Sequence, residues 1–253
     1  MIPRIIHYCW LSNDPYPEDF VKYQNTWKQH LLDYEFVLWN FDRFDINSSL
    51  WVKQAFEAKK YAFAADYIRL YALYNYGGIY MDMDIEVIKP FDDELLNREL
   101  LVGYETEDQK EIEGGFIGCS KGNPFVKKCL DSYKDKEFVL ANGDYDMKPL
   151  PSVITPIFRT LDYPKPFPYN YFTTKSWKSG NICITPNTYT VHHFADSWIT
   201  EVHHKILRFY KRAQQKYPFF IATVMMYFYG LFVRLKNLGL KKTIRHYITN
   251  INN

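Results

Sequence analysis

At 253 residues the chain is ample for one α/β core with a tail. Its formal net charge of +2 hides an asymmetry, because residues 202–253 hold ten Lys or Arg and no Asp or Glu, leaving 21 basic against 29 acidic residues in the body. The acidic body argues against nucleic acid as a partner. The four Cys lack C-x-x-C or zinc spacing and point to free thiols in a reducing compartment.

The chain opens on Ile2, Ile5 and Ile6 and then His7-Tyr8-Cys9-Trp10. This predicts a buried first strand ending in an Asn13-Asp14-Pro15 turn. No long apolar segment precedes the polar run from Ser12, so no signal peptide is expected. Residues 18–32 read as a helix with Trp27 and Leu31 on its apolar side, and Glu35–Trp39 as a second strand. Asn40-Phe41-Asp42 then leads into a linker, where Asp42 is either close to a ligand or a helix cap. Tyr61–Tyr74 has helical apolar spacing and ends at Gly77-Gly78. Asp66 and Arg69, three apart, are neighbours on its surface. They are either an ordinary ion pair or a clamp directed at the strand that follows.

That strand, Ile79–Val87, alternates apolar and polar residues, so Asp82 and Asp84 are expected on one face. Two carboxylates so placed repel each other unless a cation lies between them, and Asp oxygens suit Mg²⁺ or Mn²⁺. The plain alternative is a pair of solvated aspartates at a strand end. Further on, Leu100–Tyr104 and Gly115–Cys119 read as short strands. The polar run Glu105 to Glu113 between them reads as a loop or a meander placed to border a ligand. Gly114-Gly115 would let backbone approach a ligand closely, and Glu113 is expected to face solvent. Asn123-Pro124 starts a helix running to about Lys134. Pro149, Pro151, Pro156, Pro164, Pro166 and Pro168 mark a rigid, irregular connection, and Tyr169–Phe172 reads as a strand or sheet edge. Val191-His192-His193-Phe194-Ala195-Asp196-Ser197-Trp198 offers imidazoles and a hydroxyl, which suit Mn²⁺-like ions.

The segment A-A-D-Y-I-R-L-Y-A-L-Y-N-Y-G-G-I-Y-M-D-M-D resembles the DXD-containing sugar-binding region of family 32 glycosyltransferases, over about residues 61–90. That group includes capsular-polysaccharide sugar transferases and yeast-type initiating mannosyltransferases. More distantly, the segment is similar to the glucosyltransferase domain of clostridial toxins. The resemblance implies an α/β fold with a GT-A-like mixed sheet. It implies transfer of a sugar from a nucleoside diphosphate donor, a UDP-sugar favoured, with retention of configuration. A glycan or lipid-linked hydroxyl would be the acceptor, in surface polysaccharide synthesis. It implies a Mn²⁺ or Mg²⁺ site made by Asp82, Asp84, His193 and Ser197, with His192 as the alternative register. Around the donor it places Tyr8, Trp10, Asp66, Arg69, Gly78, Asp82 and Trp198, with Asp66, Arg69, Asp82 and Asp84 in catalytic roles. Trp10 would stack on the base; otherwise it seals the end of the first strand. Ser152-Val153-Ile154-Thr155 matches a helix start of the family only in part, because Pro151 stands before it and the expected Gly is absent. A metal-dependent phosphohydrolase or nucleotidyltransferase is the rival enzyme class, and a membrane-docked carbohydrate-binding protein the non-enzymatic one.

The expected organisation is a catalytic domain over 1–200 and a basic, partly apolar helical segment over 201–253. The apolar run Phe219–Val233 falls short of the roughly 20 residues that span a bilayer. Flanked by Lys and Arg, it suits the anionic surface of a membrane. The expected location is therefore cytoplasmic, peripheral on the inner face of the membrane. The alternative is helices packed on the domain.

Overall fold

The computed structural model describes residues 1–176, 179–195, 205–206, 209–210, 212–213 and 216–251. The chain divides into two compact units, Met1–Ala195 and Asp196–Asn253.

The first unit is built on a mixed five-stranded sheet in the order β2-β1-β3-β6-β5. Strands β1 (Ile5–Cys9), β2 (Glu35–Trp39) and β3 (Gly78–Met81) are parallel; β5 (Leu100–Tyr104) and β6 (Ile112–Cys119) form an antiparallel pair, and β6 also runs antiparallel to β3. The parallel strands put their carboxyl ends on one edge, where ligands of open α/β sheets collect. A small second sheet pairs β4 (Ile85–Val87) with β7 (Thr190–His192), in the register Ile85↔His192. The α/β class and the mixed sheet with flanking helices are as expected.

Helices cover both faces of the main sheet. On one side lie α2 (Leu50–Glu57), α3 (Tyr61–Tyr76), α5 (Pro124–Asp131) and α6 (Leu150–Phe158), around Trp39, Trp51, Phe63, Ile68 and Phe125. On the other lie α1 (Glu18–His30) and the short α4 (Asp93–Leu96), around Trp27, Ile79, Met81, Phe116 and Phe172. Local chemistry sets the boundaries. Ser49 caps α2 and Asn123 caps α5, each accepting from backbone N–H groups of the first turn. Gly77 ends α3 at φ 69°, where an added Cβ would lie 2.6 Å from Lys121 N. His7 ties this junction to the sheet. Trp39 Nε1 donates to its Nδ1 at 3.1 Å, so Nε2 carries the proton and donates to Gly77 O at 2.8 Å.

Several expectations change. The single strand Ile79–Val87 is broken into β3 and β4, which belong to different sheets. α2 stands where only a linker was expected, and α6 forms inside the proline-rich connection. Tyr169–Tyr171 is a single 3₁₀ turn rather than a strand; the edge contact is made instead by Phe167 beside Gly103.

In the second unit, α7 (Phe219–Ile251) is interrupted at Gly239, whose φ is 76°. Ala222 and Val233 are buried, and Phe209 stacks on Tyr229 at 4.1 Å. Phe220, Val224, Phe228, Leu231 and Leu235 recur at helical spacing and are exposed. Among the described residues, no helix is long and apolar enough to cross a membrane.

Candidate active site

The site is built where β3 ends. Asp82 N donates to Gly115 O at 2.9 Å, and Ile85 N donates back to Asp82 O at 3.1 Å. Asp82-Met83-Asp84 therefore forms a turn between the two sheets. Met83 points into the core, 4% exposed, and carries no polar burden. The aspartates do not repel each other across a common strand face, because each has its own partners.

Asp82 looks toward α3. Its Oδ1 accepts from Tyr80 OH at 2.9 Å and meets Arg69 Nη2 at 3.3 Å. Arg69 Nη2 also pairs with Asp66 at 3.1 Å, while Nη1 donates to Gly114 O at 2.6 Å. The guanidinium lies over the Tyr80 ring, 4.5 Å from its centroid. Asp66 and Arg69 are both buried, so they are not a surface ion pair. Burial pushes the Asp66 carboxyl up to about 6 although Arg69 opposes the shift, and the carboxylates around Arg69 keep it charged against the same burial. Arg69 Nε has no hydrogen-bond partner among the described residues.

Asp84 looks the other way. Its Oδ2 accepts from Ala195 N at 2.6 Å and its Oδ1 lies 3.2 Å from His192 Nε2. The other nitrogen, His192 Nδ1, lies 3.0 Å from Glu113 Oε1. Glu113 is 1% exposed and also accepts from Gly115 N at 2.6 Å and Thr173 Oγ1 at 3.2 Å. Burial works against the charge on Asp84, yet His192 and two backbone N–H groups hold it at about 2. His192 is buried, yet Asp84 and Glu113 raise it well above the ordinary histidine range. Gly115 is required where these groups meet: a Cβ there would lie 2.8 Å from each of Asp82 Oδ2, Glu113 Oε1 and His192 Cε1.

Asp82, Asp84 and His192 present ligand-capable atoms within 4.8 Å of one another. Of the two adjacent histidines it is His192 that enters this cluster. His193 is committed elsewhere, with Nε2 2.9 Å from Glu86 and its ring stacked on Tyr23 at 4.2 Å. The pairing Ile85↔His192 explains the choice, since it brings residue 192 alongside the turn. Ser197 and Trp198 lie outside the described residues. Trp10 lies just past the carboxyl end of β1, edge-on to Tyr16 at 5.1 Å and Phe20 at 6.0 Å, with Nε1 donating to Asp14 O. Tyr8 packs edge-on against Trp27 at 5.6 Å. Gly78 starts β3, at the end away from the aspartates, and a Cβ there would lie 2.6 Å from Ile5 O, so strand packing accounts for it. Asp42 accepts from Asn40 in a local turn. Glu113 does not face solvent. Its only sequence signal was the following Gly-Gly, which lets β6 press against the turn.

Residues 17–101 match the family model described as the glycosyltransferase sugar-binding region containing DXD motif. α3, β3 and the Asp82–Asp84 turn all fall inside the matched residues. Among curated proteins it is similar to inositol phosphoceramide mannosyltransferase 3 of Schizosaccharomyces pombe, 33% identical over 129 residues, which are 49% of this chain and 35% of that protein. It is also similar to the mannosyl phosphorylinositol ceramide synthase CSH1 of Saccharomyces cerevisiae, 36% identical over 138 residues, 53% of this chain and 36% of that one. The chain thus spans about a third of the length of these relatives. Among solved structures it is similar to the PaToxG glycosyltransferase, at 21% identity and a TM-score of 0.47, covering 63% of this chain and 69% of that one.

Proposed function

We propose that this protein transfers a sugar, mannose in the first instance, from a nucleoside diphosphate sugar to a hydroxyl of a lipid-linked acceptor, with retention of configuration. The observation that carries the reading is the convergence of Asp82, Asp84 and His192 at the carboxyl edge of the sheet, inside and beside a DXD sugar-binding region. Two carboxylates and one imidazole are a donor set that suits Mn²⁺, and Mg²⁺ less well. When bound there, the cation offsets negative charge on the departing diphosphate. His193, expected as a ligand, has no part in this arrangement.

The chain's own groups supply orientation. Glu113 holds His192 through Nδ1, which leaves Nε2 toward Asp84. Arg69 fixes Asp82 and Asp66 in one network and so orients both carboxylates. Asp66, ionised at neutral pH, accepts from a sugar hydroxyl. Trp10, at the end of β1, offers a face for the base.

The lipid-linked acceptor is supported twice. One relative is named an inositol phosphoceramide mannosyltransferase and the other a mannosyl phosphorylinositol ceramide synthase. The second unit exposes an apolar stripe on α7 within a segment that has ten cations and no anions. That combination suits a helix lying on an anionic membrane surface. Incubation with labelled UDP- and GDP-sugars, Mn²⁺ and inositol phosphoceramide in anionic vesicles tests the reading. Labelled glycolipid with the donor's anomeric configuration is expected. Release of free sugar phosphate instead would indicate the phosphohydrolase alternative. Glycan binding with no sugar nucleotide cleaved would indicate a binding protein.

A further inference from the structure

A cavity of about 550 Å³ opens between the β5–β6 hairpin and α6. Its size falls within the roughly 300–1,000 Å³ of small-molecule sites. The hairpin contributes Glu105, Asp108, Lys110 and Glu111, and α6 contributes Ser152 and Thr155, with Arg159 just beyond its end. The wall is braced from both sides. Ser152 Oγ donates to Glu111 at 2.9 Å, Ile112 N donates to Thr155 Oγ1 at 2.9 Å, and Arg159 Nη2 donates to Lys110 O at 2.7 Å.

The cavity adjoins the candidate active site. β6 runs antiparallel to β3, with Met81 opposite Phe116, so residues 112–115 and the hairpin before them overhang the edge that carries Asp82. Thr173 Oγ1 bridges the cavity wall to the site, bonding both Tyr104 O and Glu113 Oε2 at 3.2 Å. Glu105 feels the charges of both Glu113 and His192. The path from cavity to cluster is thus Glu105, Glu113, His192.

The lining selects the ligand's chemistry. Three carboxylates face two cations, and both cations are engaged: Lys110 lies 3.3 Å from Asp108, and Arg159 bonds a carbonyl. Burial holds the Glu105 carboxyl up to about 8, so Asp108 and Glu111 balance the two cations and a phosphate would meet no net positive charge there. Carboxylates and hydroxyls alternating around a cavity suit a neutral ligand rich in hydroxyl groups. We propose that this cavity is the acceptor subsite and takes an uncharged, polyhydroxylated ring, a sugar or a cyclitol. The proposal rests on the transferase reading and adds to it where the acceptor sits and what its recognised part is.

The test is ligand-observed saturation-transfer NMR on the full chain, with methyl α-mannopyranoside and myo-inositol as probes. Transfer to at least one probe is expected. It should fall fivefold or more in Ser152→Leu, which fills the cavity, and in Arg159→Ala, which unlatches the hairpin. Nucleoside diphosphate affinity serves as the check that each variant is folded. Should Ser152→Leu fail to fold, the exposed Arg159→Ala decides alone. Neither probe responding in the wild type, an undiminished signal in the folded variants, or equal displacement by inorganic phosphate would each overturn the proposal. Sugar nucleotide cleavage is scored separately. Its absence would overturn the transferase reading, and the acceptor assignment with it, whatever the NMR gives. Cleavage without probe binding would overturn the subsite alone.

Discussion

Arg69 is the residue whose removal should be felt most widely. It is buried and is the shared partner of two carboxylates, at 3.1 Å from Asp66 and 3.3 Å from Asp82, besides donating to Gly114 O at 2.6 Å. Arg69→Met keeps the bulk and removes the charge. Breaking a buried pair from one side costs about 3–5 kcal/mol, because the other charge stays behind. Here part of that cost has an outlet. Asp66 is already pushed up to about 6 by burial, so without the guanidinium it takes up a proton at neutral pH. Asp82, part-exposed, keeps its bond from Tyr80. The lower end, about 3 kcal/mol, is therefore expected at pH 7.5, roughly 6–12 °C of Tm for a domain of this size. The sign with pH follows. A carboxyl whose folded pKa lies above its unfolded value stabilises at low pH and loses that contribution as pH rises through the folded value. In the variant that value lies higher still, so the penalty should shrink toward pH 5 and grow toward pH 8. Asp66→Asn in the same background should recover part of the loss at pH 8 and little at pH 5. Thermal unfolding of the three proteins, wild type, single and double variant, at the two pH values measures all of this. A loss under 1 kcal/mol, or one independent of pH, would refute the buried network as the anchor of the Asp82 turn.

Three other outcomes follow from the same geometry. His192→Ala should weaken Mn²⁺ binding at least tenfold by paramagnetic resonance, whereas His193→Ala should leave it within twofold; equal effects would contradict the register that pairs Ile85 with His192. Gly115→Ala should cost about 1–3 kcal/mol through overpacking and also lower Mn²⁺ affinity, because its Cβ falls 2.8 Å from Asp82, Glu113 and His192 at once; unchanged metal binding would show that the cluster can relax. Burial, reinforced by Glu113, pushes the Glu105 carboxyl up to about 8 from an ordinary 4.5, so stability should fall as pH rises from 4.5 to 8. Glu105→Gln should match the wild type near pH 4.5 and exceed it near pH 8.5 by about 2 kcal/mol after discounting for partial exposure; equal melting at pH 8.5 would refute the assignment.

Much of this was legible in the sequence because it is local. β2 is found at Glu35–Trp39, α3 ends at the glycine pair, and Asn123-Pro124 opens α5, since alternation, glycine and capping act over a few residues. The turn at Asp82–Asp84 was not, because its alternation imitates a continuous strand. Only the bonds to Gly115 O and Ile85 N, one from 33 residues away in sequence, reveal that the chain leaves the sheet there. The choice between His192 and His193 depends on strand register across the whole body, which adjacent residues of one type cannot signal. Glu113 was hidden for the same reason. A charged residue in a polar run reads as solvated, and its burial is set by Thr173 and His192, distant in the chain. α2 was missed although Ser49 marks its start, because a single cap without strong apolar periodicity is a weak sign.

The measurement that bears most directly on the account is release of nucleoside diphosphate from a panel of UDP- and GDP-sugars, with Mn²⁺ and with excess chelator, by the wild type and by Asp84→Asn. Asp84 meets His192 Nε2 at 3.2 Å and belongs to the Asp82–Asp84–His192 cluster. The account predicts release from at least one sugar nucleotide with Mn²⁺, abolished by chelator and reduced at least a hundredfold in Asp84→Asn. Release that survives both chelator and the substitution, or none from any donor in the panel, would contradict it.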